Sequence, residues 1–369
     1  MENVEIMMPL VWQGKSVFVT GHTGFKGSWL SLWLAQMGAE VHGFSLNPPS
    51  DPALFDVAEI SNIISSDVRD DLANLDKLKS ALKSAKPEVV FHLAAQALVR
   101  DGYKNPLDTF AANIMGTANL LEVVRDVDSV RAIVVVTTDK VYENAEQEIL
   151  FNEADPLGGH DPYSASKAAA EIITASYRNS FYNVKDGHPA QIATARAGNV
   201  IGGGDWATDR LVPDCLRSFS ANEAVLLRYP NAVRPWQHVL EPLSGYLVLA
   251  EKLLSESGPD FAHNFAKAWN FGPDDDADAT VHNVAETAAR LWGGGASVAV
   301  KNNNDNPYEA GLLKLNSTLA RNELGWKPRW NLDQALQHTI EWHHQWLKGS
   351  DMKSMCQNQI NAYILAATK

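Results

Sequence analysis

The chain has 369 residues, 45% of them hydrophobic and 20% charged, with a formal net charge of −13; that suffices for a large core in one elaborated domain or two lobes. Such an acidic surface repels nucleic acid and anionic membranes and excludes both as expected partners, so an anionic ligand needs a locally basic pocket. The two cysteines, Cys215 and Cys356, read as unpaired thiols of a reducing compartment, and the opening MENVEIMMPLVWQGKS has no long apolar run, so the chain reads as cytoplasmic, without signal peptide or membrane anchor.

Residues 16–20 (SVFVT) read as a buried strand, 27–38 as a helix rich in Leu and Trp, 40–45 as a second strand and 62–66 as a third, ending at Asp67. A helix over 75–85, a strand over 89–93, a long helix over 107–124 and a strand over 132–137 (AIVVVT) follow. From Pro162 another long helix runs to Tyr182, and 191–195 (QIATA) is a sixth strand. Helices alternating with continuous β-branched runs predict an α/β fold with a doubly wound parallel Rossmann sheet. After Gly198 the texture turns to Gly, Pro, Trp and Arg, which predicts a smaller mixed α/β C-terminal lobe. The expected division is 1–198 for a dinucleotide-binding domain, with a helix over 241–255 returning to it, and 199–369 mainly for a substrate lobe. The acidic run 274–279 reads as a solvated loop before a helix, and 292–295 (WGGG) as a helix end and turn.

Gly21, Gly24 and Gly27 stand in TGHTGFKG, directly after the first strand and at the start of a helix. There glycine allows a tight turn and close approach of the backbone to a pyrophosphate lying on the helix N-terminus. A plain strand-to-helix turn explains such glycines too, and the spacing is one residue longer than the common fingerprint; the flanking strand and helix favour the dinucleotide reading. Ser45 stands where a ribose-binding carboxylate is expected, with no Asp, Glu or Arg adjacent, so Ser45 or Asn47 is left for the 2′-hydroxyl and NAD is favoured over NADP. Asp67 and Val68 are candidates for the adenine, although Asp67 equally suits a helix cap.

Tyr163 and Lys167, four residues apart at the start of a helix, share one face. A phenol with its ordinary pKa of about 10 is a poor base at neutral pH. A nearby ammonium and a cationic nicotinamide favour the phenolate, which can take a hydroxyl proton while hydride leaves the same carbon. The pair alone also fits an ordinary helical contact. Thr137 and Thr138 strengthen it, because open α/β sheets gather active groups at the C-terminal ends of their strands.

Together GHTGFKG (21–27), FHLAAQ (91–96), TTDKVY (137–142), YSASK (163–167) and NVIGGGDW (199–206) resemble the extended short-chain dehydrogenase/reductase superfamily over almost the whole chain. Within it they resemble the nucleotide-sugar 4,6-dehydratases, above all the branch acting on CDP-glucose. The resemblance implies NAD held by Gly21, His22, Thr23, Gly24, Phe25, Lys26 and Gly27, with Ser45, Asp67, Val68, Leu93, Ala94, Ala95, Asn113, Thr137, Tyr163, Lys167 and Arg196 around it. It implies Thr138, Tyr163 and Lys167 as the redox set and Asp139 with Lys140 as the elimination pair. The dTDP-glucose relatives have T-D-E where this sequence has T-D-K, so an amine replaces the carboxylate expected to remove the C5 proton. Lys140 is then the base or orients a water that is, and a plain salt bridge with Asp139 is the alternative.

The implied reaction is C4 oxidation, loss of water across C5/C6 and hydride return to C6, giving a 4-keto-6-deoxy sugar for deoxysugar synthesis of the O-antigen (lipopolysaccharide) type. Gln96, Arg100, Asn199, Arg234, His238 and Tyr308 are the implied substrate contacts, and the 107–124 and 163–182 helices an implied homodimer face. Arg210, Arg217 and Arg228 are further cations, and Trp206 and Trp236 candidates for stacking, each otherwise a surface charge or ordinary packing. His343 and His344 read as surface residues, and no metal-spaced cluster is found. A 4-epimerase on the same scaffold has no need of Asp139 and Lys140, and a catalytically silent NAD sensor has no use for Thr138, Tyr163 and Lys167 together.

Overall fold

Every residue of Ala132–Val136 is buried. Alternation sends Ala132, Val134 and Val136 into one core layer and Ile133 and Val135 into the other. A strand apolar on both faces must be covered on both, which is what a central parallel strand requires. The computed structural model describes residues 10–144, 149–182, 188–255, 264–274, 278–300 and 311–366. In it seven strands, β1 (Ser16–Thr20), β2 (Glu40–Ser45), β3 (Ser66–Arg69), β4 (Val89–His92), β5 (Ala132–Val136), β6 (Gln191–Arg196) and β7 (Ala268–Asn270), form one parallel sheet in the order β7-β6-β5-β4-β1-β2-β3.

Helices Phe25–Gln36, Leu240–Ser255 and Met352–Ala366 cover one face around Trp29, Leu243, Trp269 and Tyr363. Helices Leu75–Ala85, Gly116–Val124 and Pro162–Phe181 cover the other, around Phe18, Leu82 and Leu120. Each fully buried side chain of this kind contributes about 1.5–3 kcal/mol by leaving water. The chain reverses direction across the sheet between β1 and β4, and in open α/β sheets ligands bind outside the strand ends at that point.

The doubly wound sheet is as the sequence predicts, with differences in register. The third strand lies at 66–69, not 62–66, because pairing of His42 with Ser66 through Ser45 with Arg69 sets it. Ile63 and Ile64, which suggested the strand, pack on the core from the preceding loop. Asp67 is therefore a strand residue and not a helix cap. The first helix spans 25–36, and the 106–124 helix contains a π turn at Ala111–Met115. The short strand β7, absent from the sequence reading, joins the sheet beside β6 with Trp269 fully buried.

Beyond residue 198 the chain contributes to one of the two core layers and builds a smaller lobe. Helix Leu240–Ser255 packs on β5 and β6, and the last helix packs on the first through Trp33 and Tyr363, 5.7 Å apart. A third apolar cluster, including Cys215, Phe219, Trp236 and Leu336, joins helices Leu211–Ser220, Val281–Trp292 and Leu332–Leu347 into a smaller lobe. The end of the acidic run is not a loop: Asp278–Thr280 pairs with Val233–Pro235, while 275–277 lie outside the described residues. The helix after it ends at Gly293, as WGGG suggests. His343 is buried between Trp292 and Trp346, and is not a surface residue. Both cysteines are free and buried. Among the described residues no helix is long and apolar enough to cross a membrane.

Candidate active site

The turn after β1 admits glycine alone at two places. Gly21 holds φ 75°, and a Cβ there would lie 2.6 Å from the Ala94 nitrogen; on Gly27 it would lie 2.1 Å from the Gly21 oxygen. Helix Phe25–Gln36 then starts at Gly24 with no side-chain cap and no acid in its first turn. Its first N–H groups remain free for an anion, and this cradle at the reversal point fits a dinucleotide pyrophosphate. Leu93, Ala94 and Ala95 follow β4 against the turn, with Ala94 N donating to Thr20 Oγ1.

The His22 ring is buried beneath the turn, where a Cβ on Gly43 would strike it at 2.3 Å. It packs edge-on to Phe55 with Nε2 2.8 Å from Asp67, and burial lowers its pKa. Any part it takes in holding a cofactor falls to its backbone. Ser45 Oγ lies 2.9 Å from Thr23 Oγ1. The sequence reading places no arginine beside Ser45, but the register of β3 sets Arg69 opposite it. Arg69 donates to Leu46 O and to Asp67, and together with His22 it holds the Asp67 carboxyl below its usual range despite burial. Val68 packs against the second core layer.

At the end of β5, Thr138 Oγ1 donates to Asp139 Oδ1 at 2.9 Å and shares a hydrogen bond with Tyr163. Lys167 Nζ donates to the Val136 carbonyl at 3.1 Å. Burial pushes the Tyr163 phenol up to about 12 and the Lys167 ammonium down to about 8. Burial also raises the Asp139 pKa, against the pull of Lys140 and Thr138. Its Oδ2 has no partner among the described residues, and it occupies the room Gly198 leaves: a Cβ there would lie 2.0 Å away.

Thr138, Asp139, Lys140 and Tyr163 line one cavity of about 270 Å³. Arg100, Asn199, Arg210, Arg228 and Arg234 line it too, so the basic pocket that the acidic chain requires is present. Carboxylates hold the guanidinium groups: Asp205 pairs with Arg210 at 2.9 Å, and Asp209 bridges Arg100 at 3.6 Å and Arg228 at 2.5 Å. Val212, Pro213, Val225 and Leu227 give the same cavity an apolar wall. Lys26 reaches it from the glycine turn, and burial, then Arg210, lowers its pKa to about 7. Asp205 and Asp209 stand in loops without periodicity, and the wall comes from the start of helix Leu211–Ser220 and the three-residue strand Val225–Leu227, so the sequence alone does not bring them together.

Other expected contacts do not reach this cavity. Arg196 is buried in an ion pair with Glu171 at 2.9 Å, and Thr137 donates to the same carboxylate. Gln96 uses its amide on Thr109 and Leu98, and Asn113 uses its own on Gln96 and Ser166. His238 is fully buried among Trp29, Trp330 and His338, because its two-residue strand Gln237–His238 turns it into the layer beneath. Arg217 pairs with Asp214 at 2.5 Å, and Trp206 packs on Trp342 and Trp346. Trp236 does line the cavity, with Nε1 donating to Ala279 O. Tyr308 lies outside the described residues. No group of three metal-ligating side chains occurs among the described residues.

A doubly wound sheet, a glycine turn at its reversal point and a Tyr/Lys pair at the strand ends define a Rossmann-type enzyme of the short-chain dehydrogenase/reductase kind. The family model described as GDP-mannose 4,6 dehydratase matches residues 18–339, and the chain belongs to that family. It is 47% identical over 360 residues to a CDP-glucose 4,6-dehydratase of Salmonella typhimurium, covering 97% of this chain and 98% of that protein. A dTDP-glucose 4,6-dehydratase of Bacillus anthracis, solved in complex with NAD, superposes with a TM-score of 0.73 at 22% identity over 92% of this chain and all of that one. A UDP-glucose 4-epimerase of Thermotoga maritima, solved with UDP-glucose, gives 0.74 at 20% identity over 90% of this chain and 99% of that one. At that identity the two structures share the fold.

Gly198→Ala is expected to drive the Asp139 carboxyl out of its place, since the new Cβ would lie 2.0 Å from its Oδ2 and 3.1 Å from Pro235. A crystal structure of the variant checks this; a carboxyl still bonded to Thr138 contradicts it.

Proposed function

We propose that the chain is an NAD-dependent hydro-lyase that converts CDP-glucose to CDP-4-keto-6-deoxyglucose. The observation that carries this reading is a buried Asp139 carboxyl, its pKa raised by burial, beside Lys140 on the same cavity as Tyr163 and Thr138. An epimerase needs the redox set alone, and a silent sensor needs neither. The relative at 47% identity, named a CDP-glucose 4,6-dehydratase, supports the choice of nucleotide.

Bound on the glycine turn, NAD supplies an acceptor for the electron pair that leaves C4 and is returned at C6. Tyr163 takes the C4 hydroxyl proton, with Thr138 bonded to the same phenol and Lys167 as the cation nearby. The C4 ketone acidifies the C5 proton. The Lys140 amine takes that proton while Asp139 gives its own to the departing C6 hydroxyl, which leaves as water; Lys140 gives its proton back to C5 as the hydride reaches C6. Arg100, Arg210, Arg228 and Arg234 hold the diphosphate, because planar guanidinium groups bind it by paired charge-assisted bonds. The base lies on the apolar wall of Val212, Pro213, Val225 and Leu227.

The same reading has a cytoplasmic homodimer, supported by the two free thiols and by exposed Leu107, Met115 and Ile172 on the helices expected to pair; a sedimentation mass of one chain contradicts the dimer.

Turnover of CDP-, dTDP-, UDP- and GDP-glucose, with and without added NAD, tests the function. A 4-keto product from CDP-glucose, read by its alkaline absorbance, is expected at a rate at least ~10-fold above the others, as loss of one base contact of about 1.4 kcal/mol implies. A C4 epimer with an intact C6 hydroxyl contradicts the reading. Lys140→Met is expected to keep C4 oxidation, seen as transient NADH, and to lose exchange of the C5 hydrogen with solvent; normal exchange rules out its role as base.

A further inference from the structure

We propose that Glu171 is a positioning residue for the redox step, the third of three side chains that fasten helix Pro162–Phe181 to the end of β5. The inference rests on the function proposed above.

Tyr163, Lys167 and Glu171 recur every four residues and so lie along one helix face. Each meets a different residue of one short stretch of chain. Tyr163 bonds the Thr138 hydroxyl, Lys167 bonds the Val136 carbonyl, and Glu171 Oε1 accepts from the Thr137 hydroxyl. Thr138 opens on the cavity, whereas Thr137 is buried and does not line it. The Glu171 bond therefore holds the residue just before Thr138 from beneath, and with it the height at which Thr138 and Asp139 stand against Tyr163.

Glu171 is itself held rigidly. Its Oε2 accepts from Thr194 on β6 at 2.6 Å, and Arg196 donates to both oxygens, at 3.0 and 2.9 Å. Arg196 also donates to the Tyr142 hydroxyl at 2.9 Å, which in turn donates to Asn270 on β7 at 2.6 Å. One carboxylate thus ties the ends of three strands to the helix that carries the base. Its charge also opposes the burial that lowers the Lys167 pKa, and so keeps that side chain cationic. Glu171, Arg196 and Thr137 leave no polar atom over for a ligand by this arrangement, which explains why two residues expected at the cofactor lie in the core.

Thr137→Val tests the proposal, since it removes the bond to Glu171 in nearly the same shape and leaves the Glu171–Arg196 pair intact. Misplacement by ångström fractions slows chemistry more than binding, so kcat is expected to fall by ~10-fold or more with KM for CDP-glucose little changed. The isotope effect from deuterium at C4 is expected to rise, because C4 oxidation becomes the slow step. Thr137→Ser, which keeps the hydroxyl, is expected to restore most of kcat. Parental kcat and isotope effect in the Val variant, with only a lower Tm, would show that Glu171 serves stability alone and overturn the proposal. If the parent enzyme turns over a different nucleotide hexose, the nucleotide assignment fails and the same comparison, made with that hexose, still decides the role of Glu171.

Discussion

Parallel pairing puts the C-terminal ends of β1, β4, β5 and β6 on one edge of the sheet, and everything the protein can do follows from that edge. Gly21, Ala94, Thr138 and Gly198 come from distant parts of the chain, yet the register of neighbouring strands brings them together. Two of these places admit no larger residue: Gly21, where backbone meets backbone, and Gly198, where the Asp139 carboxyl fills the space. The sheet thus defines two adjoining sites, an anion cradle at the helix start and a cavity reached by side chains from β5, the following helix and the lobe.

Burial then sets the chemistry of those side chains. The same loss of water that pushes the Tyr163 phenol up to about 12 pushes the Lys167 ammonium down to about 8 and favours the protonated form of Asp139. A base that needs help from cations stands beside a carboxyl whose burial raises its pKa, an arrangement suited to oxidation followed by elimination. Away from the reacting centre, carboxylates neutralise the buried cations: Glu171 for Arg196, Asp205 for Arg210 and Asp209 for Arg100 and Arg228. An acidic protein can therefore carry a basic pocket without leaving its arginines unpaired.

The fold was largely legible in the sequence because central strands such as AIVVV are apolar on both faces. Edge strands were less so. The β3 pairing at 66–69 involves half-buried residues, and β7 has three residues, too few to show a period. In the site, Thr138, Asp139, Lys140 and Tyr163 stood in motifs and do meet at one cavity. His238 and Arg196 stood in motifs as well but point into the core, because a motif names a residue without saying which layer it faces. Asp205, Asp209 and the apolar wall were invisible, since only the folded chain brings two loop carboxylates, one helix start and one short strand to the arginines. Glu171 was one helical turn beyond the recognised pair, and its spacing was the signal that could have marked it.

In the proposed reaction one bound sugar is oxidised, dehydrated and reduced within this cavity. Turnover of an equal mixture of CDP-glucose carrying deuterium at C4 and unlabelled CDP-glucose carrying ¹³C tests it directly, with the product read by mass spectrometry and NMR. The deuterium should appear at C6 of the molecule that first carried it, with none in the ¹³C product. Deuterium retained at C4, or passed to the ¹³C product, would contradict the account.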